Sequence, residues 1–379
     1  MTLELEEDSA NEEHLSGHQD VTTEDQHFSS AMYRDFQDIY DTCFFILTIF
    51  YSSLFEEASK LVEWQSAMKE EILSIEKNQT WELTELLEEK HAGGLKWIFK
   101  SKYHADGTLL KRKACLVAKG YTQQHGIDFD EVFSPVARIE TVRLFLAITA
   151  QMKWPILPLD VKSAFLNGDL HEEVYVAQPE GFEVLGKESQ VYKLKKALYG
   201  LRQAPRMWYN KLDQYFIKSR FQKSINEPTI YKKVNKSSEV LLLCLYVDDI
   251  IYMGSSSYML IEFKQNMMNT FEMTDLGLLQ YFLGLEVEQS AGLVHVGQKK
   301  YAEQVLKRAG MLNCKIMSTP VNTNEKLQLN DNSGSADKKR YRRIVGGLLH
   351  LTHTRPDLMF AVSLVTRYMH CPQCIIWVQ

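Results

Sequence analysis

The amino-acid sequence predicts a mixed α+β fold, and three observations carry that prediction. Apolar residues recur at three- and four-residue spacing in several stretches, which is the helix period. Other stretches are short apolar runs joined by turn-forming pairs, the mark of antiparallel hairpins. The two kinds alternate without an internal repeat along 379 residues that are 45% hydrophobic, enough for one large or two modest globular domains.

Taken in order, residues 1–40 are acidic, polar and aperiodic and read as a disordered tail. The apolar run CFFILTIFY (43–51) is too short to span a bilayer and reads as a buried helix or strand. From 55 to 78, Ala58, Leu61, Trp64, Met68, Ile72 and Ile75 repeat every three or four residues and predict one helix. Residues 94–120 predict a hairpin around Asp106-Gly107. ARIETVRLFLAITAQM (137–152) predicts a helix and WPILPLDV (154–161) a strand. LRQAPRMWYNKLDQYFIKSR (201–220) carries another helix. Two strands over 240–247 and 250–253 precede a helix over 256–272. Strands are predicted over 279–289 and 292–297, and a helix over 299–310. Residues 320–337, polar with Gly and Ser, read as a linker, and 341–369 as helical on both sides of Arg355-Pro356.

Charge is unevenly spread. The chain carries 43 Lys+Arg and 49 Asp+Glu, a net charge of −6. Residues 1–40 hold 11 of the acids and one arginine; removing them leaves 42 basic against 38 acidic residues, a surplus of four positive charges. The body is mildly basic and admits a nucleic-acid partner. The cysteines Cys43, Cys115, Cys244, Cys314, Cys371 and Cys374 are scattered, and a chain of this length needs no disulfide framework. Without a visible secretory signal, a reducing intracellular setting is expected, in a cytoplasmic particle or the nucleus, with no membrane and no secretion. The lone CPQC pair of Cys371 and Cys374 is a weak zinc signal.

The stretch LLLCLYVDDIIYMG (241–254) poses the sharpest question, because Asp248 and Asp249 sit inside an apolar run. An unpaired carboxylate in apolar surroundings costs several kcal/mol. Two like charges about 4 Å apart add roughly 4 kcal/mol at an effective dielectric near 20. A solvated hairpin tip tolerates the pair, and so does a bound cation. Asp160 ends a second apolar strand. Carboxylates at a strand end and a hairpin tip suit hard divalent cations, whose shells substrate phosphates complete. Such an arrangement serves nucleotidyl transfer and a metal-dependent nuclease alike.

Longer motifs separate these readings. The chain resembles the reverse transcriptase of copia-type LTR retrotransposon Pol polyproteins. The resemblance runs in order through NQTWEL (78–83), KWIFKSKY (96–103), LVAKGYTQQHGIDFDEVFSPVARIETVR (116–143), LDVKSAFLNGDLHEEVYVAQPEGF (159–182), KLKKALYGLRQAPRMWY (193–209), LYVDDII (245–251), DLGLLQYFLGLEV (275–287), QKKYAEQVLKRAGM (298–311) and TRPDLMFAV (354–362). It implies a right-hand polymerase fold with a mostly antiparallel palm sheet. The reverse transcriptase region would cover 94–319, preceded by a tail and short apolar segment (1–54) and by a helix and connector (55–93). A linker (320–340) and a truncated helical connection (341–379), with the ribonuclease H domain absent, would follow.

The resemblance also implies roles. Asp160, Asp248 and Asp249 match catalytic, metal-binding aspartates, with the Val161 carbonyl as a further metal ligand. Phe165 matches an aromatic gate that would clash with a 2′-hydroxyl. Gln203 and Lys113 would contact the nucleotide, Gly200 and Pro205 would shape the Gln203 loop, and Lys119 would meet phosphates. Phe282, Leu283 and Gly284 would grip the primer. The implied cofactor is a pair of Mg²⁺ ions, with Mn²⁺ as an alternative. The implied partners are an RNA or DNA template with its primer and deoxynucleoside triphosphates. One departure stands out: Cys115 occupies a position where the family usually carries arginine. Arginine binds phosphate in bidentate, charge-assisted fashion, and cysteine does not. Arg112 replaces a usual tyrosine, but residues at odd spacing on a strand face opposite ways. The second reading is therefore an impaired remnant that at most binds nucleic acid.

Overall fold

The computed structural model describes residues 55–103, 108–290, 292–321, 334 and 336–372. The expected tail, the apolar run 43–51, the Asp106-Gly107 turn, most of the linker and Cys374 lie outside these residues. In chain order the main elements are helix α1 (Val62–Lys77), strands β1 (Leu95–Tyr103) and β2 (Leu109–Ala118), and helix α2 (Ile139–Met152). Strand β3 (Ile156–Val161), strand β4 (Asp169–Val176) and helix α3 (Ala204–Lys218) come next. Strands β5 (Ile230–Val234), β6 (Val240–Tyr246) and β7 (Asp249–Gly254) lead to helix α4 (Ser257–Thr270) and strand β8 (Met273–Asp275). Then come β9 (Tyr281–Phe282), β10 (Leu285–Ser290), β11 (Leu293–Gly297), and helices α5 (Lys299–Ala309), α6 (Lys338–Leu351) and α7 (Met359–Thr366). The α+β reading holds, with mainly antiparallel pairing. Among the described residues no helix is long and apolar enough to cross a membrane.

The chain divides into two compact units that interleave in sequence. Among the described residues, one takes in those up to Lys77, those of Thr84–Lys119 and those of Tyr175–Tyr192; the other takes in Asn78–Leu83, Gly120–Val174 and those from Lys193 onward. In the first unit α1 packs on the β1–β2 hairpin. Trp64 meets Phe99 edge-on at 5.1 Å between ring centroids, and Met68 and Ile75 are buried. The helix starts later than its period suggests, because Phe55–Ala58 forms a separate turn. Glu71 on α1 accepts the Leu116 N–H at 3.2 Å, and burial raises its pKa.

The second unit is built around an antiparallel sheet ordered β8-β3-β7-β6-β5, with the short strand Gln222–Lys223 at its edge. Side chains on β7 alternate between two covered faces. Ile250 and Tyr252 enter one core with Trp208, Leu212 and Phe216 of α3 and Phe263 of α4. Ile251 and Met253 enter the other with Val142 and Phe145 of α2 and with Phe282, Leu285 and Val287 of the β9–β10 hairpin. Both faces are apolar, which explains why 241–254 reads as a nearly continuous hydrophobic run. The single strand expected over 279–289 is broken at Leu283-Gly284, both at positive φ (51° and 78°). Strand β4 and a strand over Val191–Lys196 have no counterpart in the sequence reading, because their many charged residues mask the alternation.

Close approach of α3 depends on Gly168. A Cβ there would stand 2.8 Å from both the Met207 carbonyl carbon and the Trp208 nitrogen. Gly168→Ala therefore forces main chain apart and is expected to cost about 1–3 kcal/mol. A lower unfolding midpoint in a denaturant titration checks this; an unchanged midpoint contradicts the packing described.

Candidate functional site

Asp160 is the penultimate residue of β3 and Asp249 the first of β7. The register of these strands sets Asp249 opposite Asp160, continuing from Ile250 opposite Leu159 and Ile251 opposite Pro158. Directly opposed residues on antiparallel strands share a face, with Cβ atoms about 4.5–5.5 Å apart. That face is the one lined farther along by Ile251, Met253 and Ile156, under α2 and the β9–β10 hairpin. The two carboxylates stand where this apolar face ends. Asp160 is exposed, whereas Asp248 and Asp249 are half-buried. Val161 follows on β3, buried and opposite Met273.

The hairpin joining β6 to β7 is as short as a hairpin can be. Tyr246 pairs with Asp249, leaving Val247 and Asp248 as the two loop residues. Val247 takes φ +56°, whereas Asp248 is not in the positive-φ region. Positive φ at the first loop position is the II′ pattern, which glycine normally fills. A β-branched residue there is an outlier that costs of order 1–3 kcal/mol. The indole N–H of Trp208 donates to the Val247 carbonyl oxygen at 3.0 Å.

Electrostatics mark the same spot. The Asp249 carboxyl is pushed up to about 6, first by burial and then by the charges of Asp248 and Asp160. None of the ion pairs among the described residues involves Asp160 or Asp249, and nearby Lys162 is engaged by Glu272 at 3.2 Å. Among the described residues no three His, Cys, Asp or Glu side chains converge into a ready metal cage. Mg²⁺ does not require one, because it usually binds through one or two carboxylates plus substrate phosphates and water. Like-charged, uncompensated carboxylates on adjacent strands fit that mode of binding.

Other residues singled out from the sequence lie around this turn in different ways. Phe165 sits in a 3₁₀ turn (Ala164–Asn167) after β3, half-buried, its ring tilted 50° against Tyr199 at 4.6 Å. Phe282 is buried and meets the ring of Tyr246 edge-on at 6.1 Å, one residue before the acidic turn. Leu283 and Gly284 form the tip of that hairpin, and a Cβ on Gly284 would come 2.9 Å from His350 Nε2. Gln203, the residue expected at the nucleotide, is turned inward in this structure. It is 0% exposed; its amide donates to the Asp128 carbonyl at 2.8 Å and accepts from Gln123 Nε2 at 3.1 Å. Both ends of the amide are engaged inside the unit, so it ties the start of α3 to the loop over 123–128. Gly200 stands beside it at φ +91°. The sequence alone assigns no role to Trp208, Tyr199 or Gln123; all three lie inside quoted motifs, but their contacts are long-range.

The first unit carries a separate basic surface. On the hairpin, Lys100 pairs with Lys113, Ile98 with Cys115 and Lys96 with Val117, and paired residues share a face. Cys115 is thus half-buried amid Lys96, Lys100 and Lys113. Burial and the neighbouring Lys119 lower the Lys96 pKa. Arg112 lies on the opposite, α1 side, 3.5 Å from Glu63 and with its guanidinium 5.1 Å from the Trp64 ring centre. It does not stand in for an arginine at position 115.

The raised Asp249 pKa has a consequence for the metal-free chain. Its unfolded value is near 3.8 and its folded value about 6, so between these the folded state binds the extra proton. That stabilisation is fully present below about pH 4 and is lost as pH rises through about 6. Melting curves across this window should show a component of falling stability that Asp249→Asn removes. An identical pH profile in the mutant contradicts the burial assigned to this carboxyl.

The reverse transcriptase (RNA-dependent DNA polymerase) family matches the chain over residues 78–323. The retrovirus-related Pol polyprotein from transposon TNT 1-94 of Nicotiana tabacum is 41% identical over 315 residues, which is 81% of this chain and 24% of that polyprotein. The corresponding polyprotein from transposon RE1 of Arabidopsis thaliana is 38% identical over 318 residues, 83% of this chain and 22% of that protein. The chain thus spans about a quarter of the length of these relatives. The match takes in β3, the acidic turn, α3 and the β9–β10 hairpin in one continuous stretch. The chain belongs to the reverse transcriptase family, as the reverse transcriptase domain of copia-type retrotransposon Pol polyproteins.

Proposed function

We propose that this chain performs template-directed transfer of deoxynucleotides to a primer 3′ end, with Asp160, Asp248 and Asp249 as the acidic residues that hold two Mg²⁺ ions. The observation that carries the reading is the direct register of Asp249 with Asp160 beside a two-residue acidic turn. When bound, divalent ions supply charge stabilisation for the attacking and leaving oxygens of an in-line phosphoryl displacement. The Val161 carbonyl is proposed as a further ligand. Phe165, held against Tyr199, presents an aromatic ring that would exclude a 2′-hydroxyl. Phe282, Leu283 and Gly284 would support the primer end through the tight β9–β10 turn. The basic face of the β1–β2 hairpin, with Lys113, would meet phosphates of nucleotide or template. An RNA or DNA template with its primer is the macromolecular partner this reading requires, and a right-hand polymerase arrangement the fold it implies.

The test is primer extension by the purified chain on an RNA template with deoxynucleotides and Mg²⁺. Asp160→Asn keeps the side-chain shape and removes the charge. Extension should fall at least about 10²-fold, the scale on which losing one preorganised electrostatic partner slows a reaction. The melting temperature should not fall. Extension that survives in Asp160→Asn rejects the assignment.

Cys115 bears on rate. Its face carries lysines, and restoring an arginine there adds a bidentate phosphate partner. Charge-assisted hydrogen bonds contribute about 1.5–3 kcal/mol each. Cys115→Arg should therefore raise the efficiency of nucleotide use by roughly one to three decades. Primer–template affinity should change little, since many backbone contacts share that load. Steady-state kinetics with a melting curve decides: no gain in efficiency together with a lower melting temperature means that position 115 is packing alone.

A further inference from the structure

Two features of the acidic turn call for each other. The first loop position is a valine at φ +56°, where a hairpin of this length favours glycine. Left to itself, a β-branched residue drifts out of that region. The second feature is a donor from a distant element. Trp208 Nε1–H reaches the Val247 carbonyl oxygen at 3.0 Å, across 39 residues of sequence.

The donor is fixed on every side. Trp208 is 0% exposed, on the second turn of α3. Its ring stands edge-on to Phe271 at 5.4 Å and 86°. Its backbone is pressed against Gly168, where no Cβ fits. The carbonyl it holds belongs to the peptide joining Val247 to Asp248, and a peptide is a rigid plane. Holding that oxygen fixes ψ of Val247, and with it the Cα of Asp248 and the start of β7 at Asp249.

We propose that Trp208 is a positioning residue for the acidic turn. Its indole N–H holds the Val247–Asp248 peptide in an orientation that the valine backbone resists, and so sets how Asp248 and Asp249 are presented to a divalent cation. This rests on the reading above that these carboxylates bind such a cation. The tryptophan touches neither metal nor substrate; it acts through one backbone carbonyl. The strained valine makes the turn dependent on this hydrogen bond, and a glycine there would not be.

That dependence supplies the test. Trp208→Phe keeps an aromatic ring in the core and deletes the donor. Val247→Gly removes the backbone conflict. Mn²⁺ binding to the full chain is followed by electron paramagnetic resonance of the free ion, alongside melting temperature. Trp208→Phe should weaken Mn²⁺ binding several-fold, up to about tenfold, the scale of one hydrogen bond. Adding Val247→Gly to Trp208→Phe should restore most of that loss in Mn²⁺ binding, because glycine takes the positive φ without the hydrogen bond. A Trp208→Phe chain that melts lower but binds Mn²⁺ as before overturns the proposal, and so does a double variant with no recovery. Should Trp208→Phe not fold, the unmodified chain still decides through its ¹⁵N-labelled indole. The Trp208 N–H signal should shift when Mg²⁺ is added, and its indifference to Mg²⁺ refutes the coupling. A chain that binds no Mn²⁺ before any substitution refutes the metal reading itself, which is a different failure from binding that Trp208→Phe leaves untouched.

Discussion

The acidic end of the larger sheet hangs on one backbone register, that of Asp249 opposite Asp160. A slip of one residue would turn every side chain of β7 to the other face. Both faces of that strand are apolar, with Ile250 and Tyr252 in one core and Ile251 and Met253 in the other. A slide of two residues that keeps the face would draw the aspartate in among the apolar side chains, and the cost of burying a charge opposes that. The cores thus do more than stabilise. They hold two like charges opposite each other, where burial and repulsion together raise the Asp249 pKa. The arrangement costs the folded chain stability, and a divalent cation is the partner that would offset it.

Helix α3 turns this register into a shaped site. Its inward side, with Trp208, Leu212 and Phe216, belongs to the core under β7. Its first two turns reach three neighbours. Gln203 ties down the loop over 123–128 through its amide. The main chain at Met207 and Trp208 lies against Gly168, whose N–H closes the turn carrying Phe165 by donating to the Phe165 carbonyl at 3.0 Å. Trp208 holds the acidic turn itself. Packing of one amphipathic helix therefore fixes the aromatic at 165, the buried loop and the carboxylates relative to one another, and a change at its apolar face would be felt at all three.

Much of this is legible in the residues, and the exceptions share a cause. Helical periods over 137–152 and 299–310 and the apolar runs around Asp160 and Asp249 depend on local pattern, and the elements appear close to where the pattern puts them. Gly284 advertises the turn that splits 279–289, but an apolar period running through it hides the signal. Strand β4, DLHEEVYV, has too many charged residues for alternation to declare it. Gln203 looks like a group offered to a ligand, and only the fold reveals that its amide is satisfied internally. Val247 is the extreme case. Propensity makes valine the last residue to expect at positive φ, and the donor that holds it there lies 39 positions upstream. What the sequence hides is what depends on contacts between distant segments.

Asp160 and Asp249 are cross-strand partners, and on the function proposed above they act as one site. A double-mutant cycle on Mn²⁺ affinity tests it most directly, using Asp160→Asn, Asp249→Asn and the pair, with melting curves to establish that each variant folds. Groups that share a ligand are strongly non-additive, whereas distant groups add. If the register described here is right, each single substitution weakens Mn²⁺ binding, and the double variant binds no more weakly than the worse single. Losses that simply add would mean that the two carboxylates serve separate sites, and would contradict the pairing on which the rest depends.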